Sequence, residues 1–225
     1  MAWTPLPETV KFSVETPNPK PFTLDPAKTA VVVVDMQNNF CKRGNQRSFD
    51  VIEGNVRLLD KAREAGARVI YVQSVRQVQS PDWTVYRRFD LNLIPGTWNS
   101  EIVEEIAPQS GDHVVQKWSH DVWAWHGMEA LLEREGIIAG EWTVLVTGVS
   151  AASCANCAAL GFSNRYYRTL IPLDCTAASI EAEARTYAHY MSRGYKFDMD
   201  FTLSTMVDFA PSGVTAAPVG VAAGV

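Results

Sequence analysis

Residues 29–35 read TAVVVVD, an unbroken β-branched apolar run that stops at an acid. A strand with one wet face alternates apolar and polar residues. A continuous run of this kind suits a strand covered on both faces, as in a parallel sheet. Further strands are expected at RVIYVQS (68–74), HVVQK (113–117), WTVLVTG (142–148), YRTLIPLD (167–174) and FDMDFTLST (197–205). Apolar residues at helical spacing fill 50–65 and stop at Gly66, a C-cap signal. Helices are also expected at 101–107, 123–136, 153–165 and 181–193, the last stopped by Gly194. Strands alternating with helices make βαβ units with right-handed crossovers. The prediction is an α/β fold of three αβα layers around a six-stranded, mainly parallel, Rossmann-like sheet.

Around that core the chain changes character. Residues 1–28 are Pro-rich and read as an extended N-terminal arm, 29–209 as the folded domain, and 210–225 as a tail of small residues. Residues 76–99 carry Pro81, Pro95 and Gly96 with little periodicity and read as a long loop of the kind that forms lids. The formal net charge is -5, with no basic stripe, which argues against nucleic acid or an anionic membrane as partner. No apolar run approaches the ~18 residues of a membrane span. The N-terminus lacks the apolar stretch of a secretory signal, so a cytoplasmic location is the expectation. The arm and tail need a partner to be ordered, which points to a homo-oligomer, dimer or tetramer.

Four cysteines, at 41, 154, 157 and 175, fit no disulfide framework in a chain of this size. Cys154 and Cys157 form a CxxC, but no second CxxC or HxxxH completes a zinc site, and no Trp or Pro flanks the pair as in a redox motif. In open α/β sheets, ligands bind beyond the carboxyl ends of strands where the strand order reverses. Three such ends carry chemistry: Asp35, Lys117 and the turn from Gly148 to Cys154. Taken singly, Asp35 could cap a turn, Lys117 could end its strand at the surface, and Cys154 could be packed and inert. Together they make an acid–base group, a cation and a nucleophile. A helix N-terminus and a nearby ammonium favour a thiolate. A carboxylate can accept the thiol proton and pass it to a leaving amine. The small residues Ser150, Ala151, Ala152 and Ser153 let backbone N–H groups approach a substrate oxyanion.

At these residues the chain resembles the isochorismatase-like cysteine hydrolases, in particular the branch of N-carbamoylsarcosine, ureidoacrylate and biuret amidohydrolases. TAVVVVDMQNNFC resembles the family's first strand, with Asp35 at its acid/base position. PGTWNSEIVEEIAPQSGDHVVQKWS resembles the passage from lid to third strand, with Lys117 at the family lysine. VLVTGVSAASC resembles the nucleophile turn, and PLDCTAAS the end of the fifth strand. The resemblance implies an isochorismatase-type fold, a cis peptide between Val149 and Ser150, and an oxyanion hole from the N–H groups of Ser150 and Cys154.

Three departures from the family pattern bear on substrate. Ala151 and Ala152 stand where the family has polar residues, so the pocket floor is less polar. Residues 76–90 contain no histidine, so the zinc site of nicotinamidases is not expected, and no metal or cofactor is implied. The segment WSHDVWAWHG replaces a Ser/Phe/Thr stretch after the lysine. Candidate pocket residues are therefore Gln37, Arg76, Trp98, Trp118, His120, Trp123, His126 and Ala151, with Arg87 and Arg88 as further cations near the lid. The aromatics favour a flat or apolar substrate portion, with His120 or His126 giving one polar contact. The reading is a hydrolase that cleaves a C–N bond of a small amide, ureide or carbamoyl compound through a thioester on Cys154. The alternatives are a vinyl-ether hydrolase of the isochorismatase type and a non-catalytic binding member of the fold.

Overall fold

The computed structural model describes residues 18–44, 46–75, 93–178, 187 and 199–210. Arg76, Arg87, Arg88 and most of the expected lid lie outside the described residues. So do residues 1–17 of the arm, the helix at 181–193 apart from Tyr187, and the tail from 211 onward.

The strands are β1 (Phe22–Leu24), β2 (Thr29–Val34), β3 (Arg68–Ser74), β4 (His113–Lys117), β5 (Thr143–Val149), β6 (Arg168–Pro172), β7 (Thr176–Ala177), β8 (Met199–Thr202) and β9 (Val207–Phe209). The α-helices are α1 (Gln46–Asp50), α2 (Ile52–Ala65), α3 (Gly127–Arg134) and α4 (Cys154–Asn164). The main sheet runs β4-β3-β2-β5-β6-β8, and β7 adds a short seventh strand beside β5. Every pairing in it is parallel. The six expected strands are the six of the main path.

The valine run explains the layering. Successive side chains of a strand point to opposite faces. Val32 and Val34 join Ala155, Ala158 and Phe162 of α4 and Met128 and Leu131 of α3 in one apolar cluster. Val31 and Val33 join Leu58, Leu59 and Ala62 of α2 in another. All four valines are fully buried, each contributing roughly 1.5–3 kcal/mol. Gly66 ends α2 in the left-handed region, its N–H bonded to the carbonyls of Ala62 and Arg63.

Several segments differ from the sequence expectation. The helix expected at 101–107 is a single 3₁₀ turn, Glu104–Ile106, because Ala107 precedes a proline and is extended. The helix expected at 123–136 is split. Asp121 caps a 3₁₀ turn at Val122–Ala124, Trp125 is extended, and α3 begins only at Gly127. The Trp125 ring meets the edge of Trp118 with centroids 4.4 Å apart, a contact a continuous helix would forgo. The last expected strand, 197–205, stops at Thr202, and a turn at Ser204–Met206 follows before β9. Asp174 holds that turn, accepting from the Ser204 N–H at 2.7 Å and its hydroxyl at 2.5 Å. β9 then pairs in parallel with β1, so residues 22–24 of the expected arm are a buried strand.

Candidate active site

The strand order reverses between β2 and β5, which are neighbours in the sheet although two strands separate them in sequence. Asp35 leaves the carboxyl end of β2 there. Its φ is 53°, in the left-handed region that L-residues avoid and that Asp tolerates better than most. Gly148 lies opposite Val34 in the register with φ of 99°. A Cβ on Gly148 would sit 2.0 Å from the Val34 carbonyl oxygen, so only glycine lets β5 pass this close to β2. The chain then turns through Ser150–Ser153, with a cis peptide between Val149 and Ser150, and enters α4 at Cys154.

Asp35 and Lys117 are each 1% exposed. Lys117 Nζ donates to Asp35 Oδ2 at 2.9 Å, to Ser74 Oγ at 2.7 Å and to the Ser119 carbonyl at 3.0 Å. It lies 3.3 Å from Cys154 Sγ. Ser74 Oγ donates to Asp35 Oδ1 at 3.0 Å. β3 lies between β2 and β4, and Ser74 at its end bridges the ion pair formed across it. Ser74 was missed by the sequence reading. Its only signal there is its position as the last residue of RVIYVQS, at a strand end beside Asp35.

Burial works against the Lys117 ammonium. The charge of Asp35, and then that of Cys154, outweighs it and raises Lys117 above the ordinary lysine range. Cys154 departs from the sequence expectation of a favoured thiolate. Burial and the Asp35 charge push its thiol well above the cysteine range, and the opposing pull of Lys117 is smaller. The carboxylate and the ammonium cancel as a pair, so the sulfur gains little net positive field from them.

The other candidates take varied places. Gln37 is fully buried, and its amide donates to the carbonyls of Ser74 and Ser100 at 2.8 Å each. Its oxygen accepts from the Ser74 N–H at 2.9 Å. Gln37 thus fixes the end of β3 rather than facing open space. His120 Nδ1 lies 3.2 Å from Cys154 Sγ. His126 sits at the N-cap of α3, its side chain 99% exposed and paired with Glu129. Trp98 is half exposed under the Arg43 guanidinium, and Trp118 packs on Trp125. The Trp123 ring packs against α4, edge-on to Phe162 and beneath the Arg165 guanidinium. Ala151 is buried in the core, its N–H bonded to the Ala177 carbonyl. Among the described residues, the N–H groups of Ser150 and Cys154 are bonded to no acceptor, and no group of three metal-ligating side chains is placed to hold an ion.

A doubly wound parallel sheet with a buried carboxylate–ammonium pair against a helix-start cysteine defines a narrow class of α/β protein. The Isochorismatase domain family matches residues 29–196, and the chain belongs to that family. It is 36% identical over 146 residues to ureidoacrylate amidohydrolase RutB of Agrobacterium fabrum, a match covering 53% of this chain and 64% of that protein. The chain therefore spans less than two thirds of that relative's length. A second relative, ureidoacrylate amidohydrolase RutB of Methylorubrum extorquens, is 28% identical over 185 residues, or 70% of this chain and 73% of that one. The crystal structure of N-carbamoylsarcosine amidase from Thermoplasma acidophilum aligns with a TM-score of 0.67 at 24% identity, covering 79% of this chain and 96% of that one. A cysteine hydrolase from Pseudomonas syringae aligns at 0.70 and 23% identity, covering 84% and 94%. No helix among the described residues is long and apolar enough to cross a membrane.

Proposed function

We propose that this protein hydrolyses a C–N bond of a small amide, ureide or carbamoyl compound, with Cys154 as nucleophile. One observation carries the reading: Asp35, Lys117 and Cys154 meet in one hydrogen-bonded group at the sheet's reversal point. The left-handed backbone at Asp35 supports it, since such conformations persist where function holds them. The names of the relatives point to the same substrate class.

In this mechanism Cys154 Sγ attacks the carbonyl carbon, and the C=O π pair moves to oxygen. The thiol proton passes to Asp35. The N–H groups of Ser150 and Cys154 donate to the oxyanion, an arrangement whose loss commonly costs about 3–4 kcal/mol of barrier. When the intermediate collapses, the C–N pair leaves with nitrogen, which takes the proton from Asp35. Water then gives a proton to Asp35 and attacks the thioester carbon, and the acid departs as the sulfur is reprotonated. Lys117 holds Asp35 in place through Oδ2 and offsets its charge.

The test is an ammonia-release screen over small primary amides, ureides and carbamoyl compounds. Wild type is expected to turn over members of one class, and Cys154→Ala and Asp35→Asn none of them. Turnover by purified Cys154→Ala rules the mechanism out.

A further inference from the structure

The mechanism above leaves one neighbour of the nucleophile idle. His120 Nδ1 lies 3.2 Å from Cys154 Sγ, on an exposed residue, while Lys117 Nζ reaches the same sulfur from within at 3.3 Å. The two contacts are not alike. An ammonium only donates hydrogen bonds, so Lys117 can stabilise a thiolate but cannot take the thiol proton. Both oxygens of Asp35 are already engaged, Oδ1 by the Ser74 hydroxyl and Oδ2 by Lys117. An imidazole nitrogen can accept a proton and return it near neutrality.

We propose that His120 is a second catalytic proton acceptor for Cys154, opening an outward route of thiol ionisation beside the inward one to Asp35. This rests on the cysteine-hydrolase reading and adds a residue to it. In the reactive tautomer the ring hydrogen is on Nε2 and the lone pair on Nδ1. The S–H bond breaks, its electron pair stays on sulfur, and the proton bonds to Nδ1. The product is a thiolate–imidazolium pair with no net change in charge. After attack and collapse, the departing nitrogen keeps the C–N pair and takes the proton from Nδ1, which restores the neutral ring.

The surroundings explain why a second acceptor is useful. The Asp35–Lys117 unit is neutral as a whole, so it brings the sulfur no net cation. An imidazolium formed in contact supplies one, and its exposed position keeps it hydrated. The charged or titratable groups adjoining this contact include Lys117 on β4, Asp35 after β2, Asp121 next in the chain and Cys157 one turn along α4. Asp121 directs its carboxylate to the Trp123 N–H, and its charge together with that of Lys117 is felt at Cys157.

The test needs no substrate. Full-length wild type, His120→Gln, His120→Asn and Asp35→Asn are alkylated with iodoacetamide from acid to alkaline pH, and labelling of Cys154 and Cys157 is followed separately by peptide mass. His120→Asn keeps a polar atom near the sulfur but holds no exchangeable base. Both His120 variants are expected to lose about tenfold or more of Cys154 labelling near neutrality, recovering only at alkaline pH, with Cys157 unchanged. Wild-type labelling and pH profile in His120→Gln overturn the proposal. So does a wild-type profile in His120→Asn, which makes the contact positional. A substrate screen with no turnover, alongside a His120-dependent labelling profile, overturns the hydrolase reading and keeps the ion pair.

Discussion

The buried pair of Asp35 and Lys117 sets the residue-scale energetics. Neither side chain is more than 2% exposed, so each depends on the other for solvation it has lost. Lys117→Met leaves a buried carboxylate in that site without its ammonium, the Ser74 hydroxyl still donating to Oδ1. It is expected to lower stability by about 3–5 kcal/mol in urea denaturation and to remove turnover. The double variant Asp35→Asn with Lys117→Met removes both charges. It is expected to recover much of the stability and none of the activity, and equal instability of the single and double variants contradicts the pairing. Gln37 acts at one remove. Gln37→Ala leaves the Ser74 carbonyl and N–H without their side-chain partner and the Ser100 carbonyl with the Gln73 amide alone, and is expected to cost about 1–3 kcal/mol. Because Ser74 then loosens beside Asp35, kcat is expected to fall more than KM rises.

Elements meet through close approaches that only glycine permits. Along α4, a Cβ on Gly161 would lie 1.7 Å from Trp123 Nε1, so this glycine is the seat of the indole. Gly161→Ala must expel the ring from its place between Phe162 and Arg165. The expected cost is about 1–3 kcal/mol, with a red shift in tryptophan emission. Pairing it with Trp123→Leu is expected to restore part of the loss, and an unshifted spectrum in Gly161→Ala would show that the indole sits elsewhere. Legibility ended at this level. Valine runs, helical spacing and Gly66 mark the elements in the sequence, because backbone hydrogen bonding and burial of one face are local and periodic. The 3₁₀ turn that replaces a helix at Val122–Ala124 was hidden, because Trp125 is drawn out of helical geometry by Trp118 and Trp123 by α4.

Across the whole molecule, polar groups tie layers together as well as apolar ones. Tyr71 of β3 donates to the Ile106 carbonyl and accepts from Arg63 of α2, which also binds Asp112 before β4. Burial pushes the Tyr71 phenol from its ordinary 10.0 up to about 12. The unfolded chain therefore loses this proton first as pH rises. Its contribution to stability is complete below about 10 and is lost between about 10 and about 12. Tm is expected to fall across that range, and Tyr71→Phe, although about 1 kcal/mol less stable at neutral pH, should show a shallower alkaline fall. An identical alkaline slope in the two proteins would remove Tyr71 from the account. The sequence by itself determined the six parallel strands, the helices α2 and α4, and the residue types at three strand ends, since these follow from local pattern and from the direction in which parallel strands run. Only the tertiary structure decided that Ser74 bridges the ion pair, that Gln37 is a buried brace, that His120 and not His126 meets the sulfur, and that the Cys154 thiol is raised. Those outcomes depend on distance and burial between residues far apart in the chain, where no periodicity reports them.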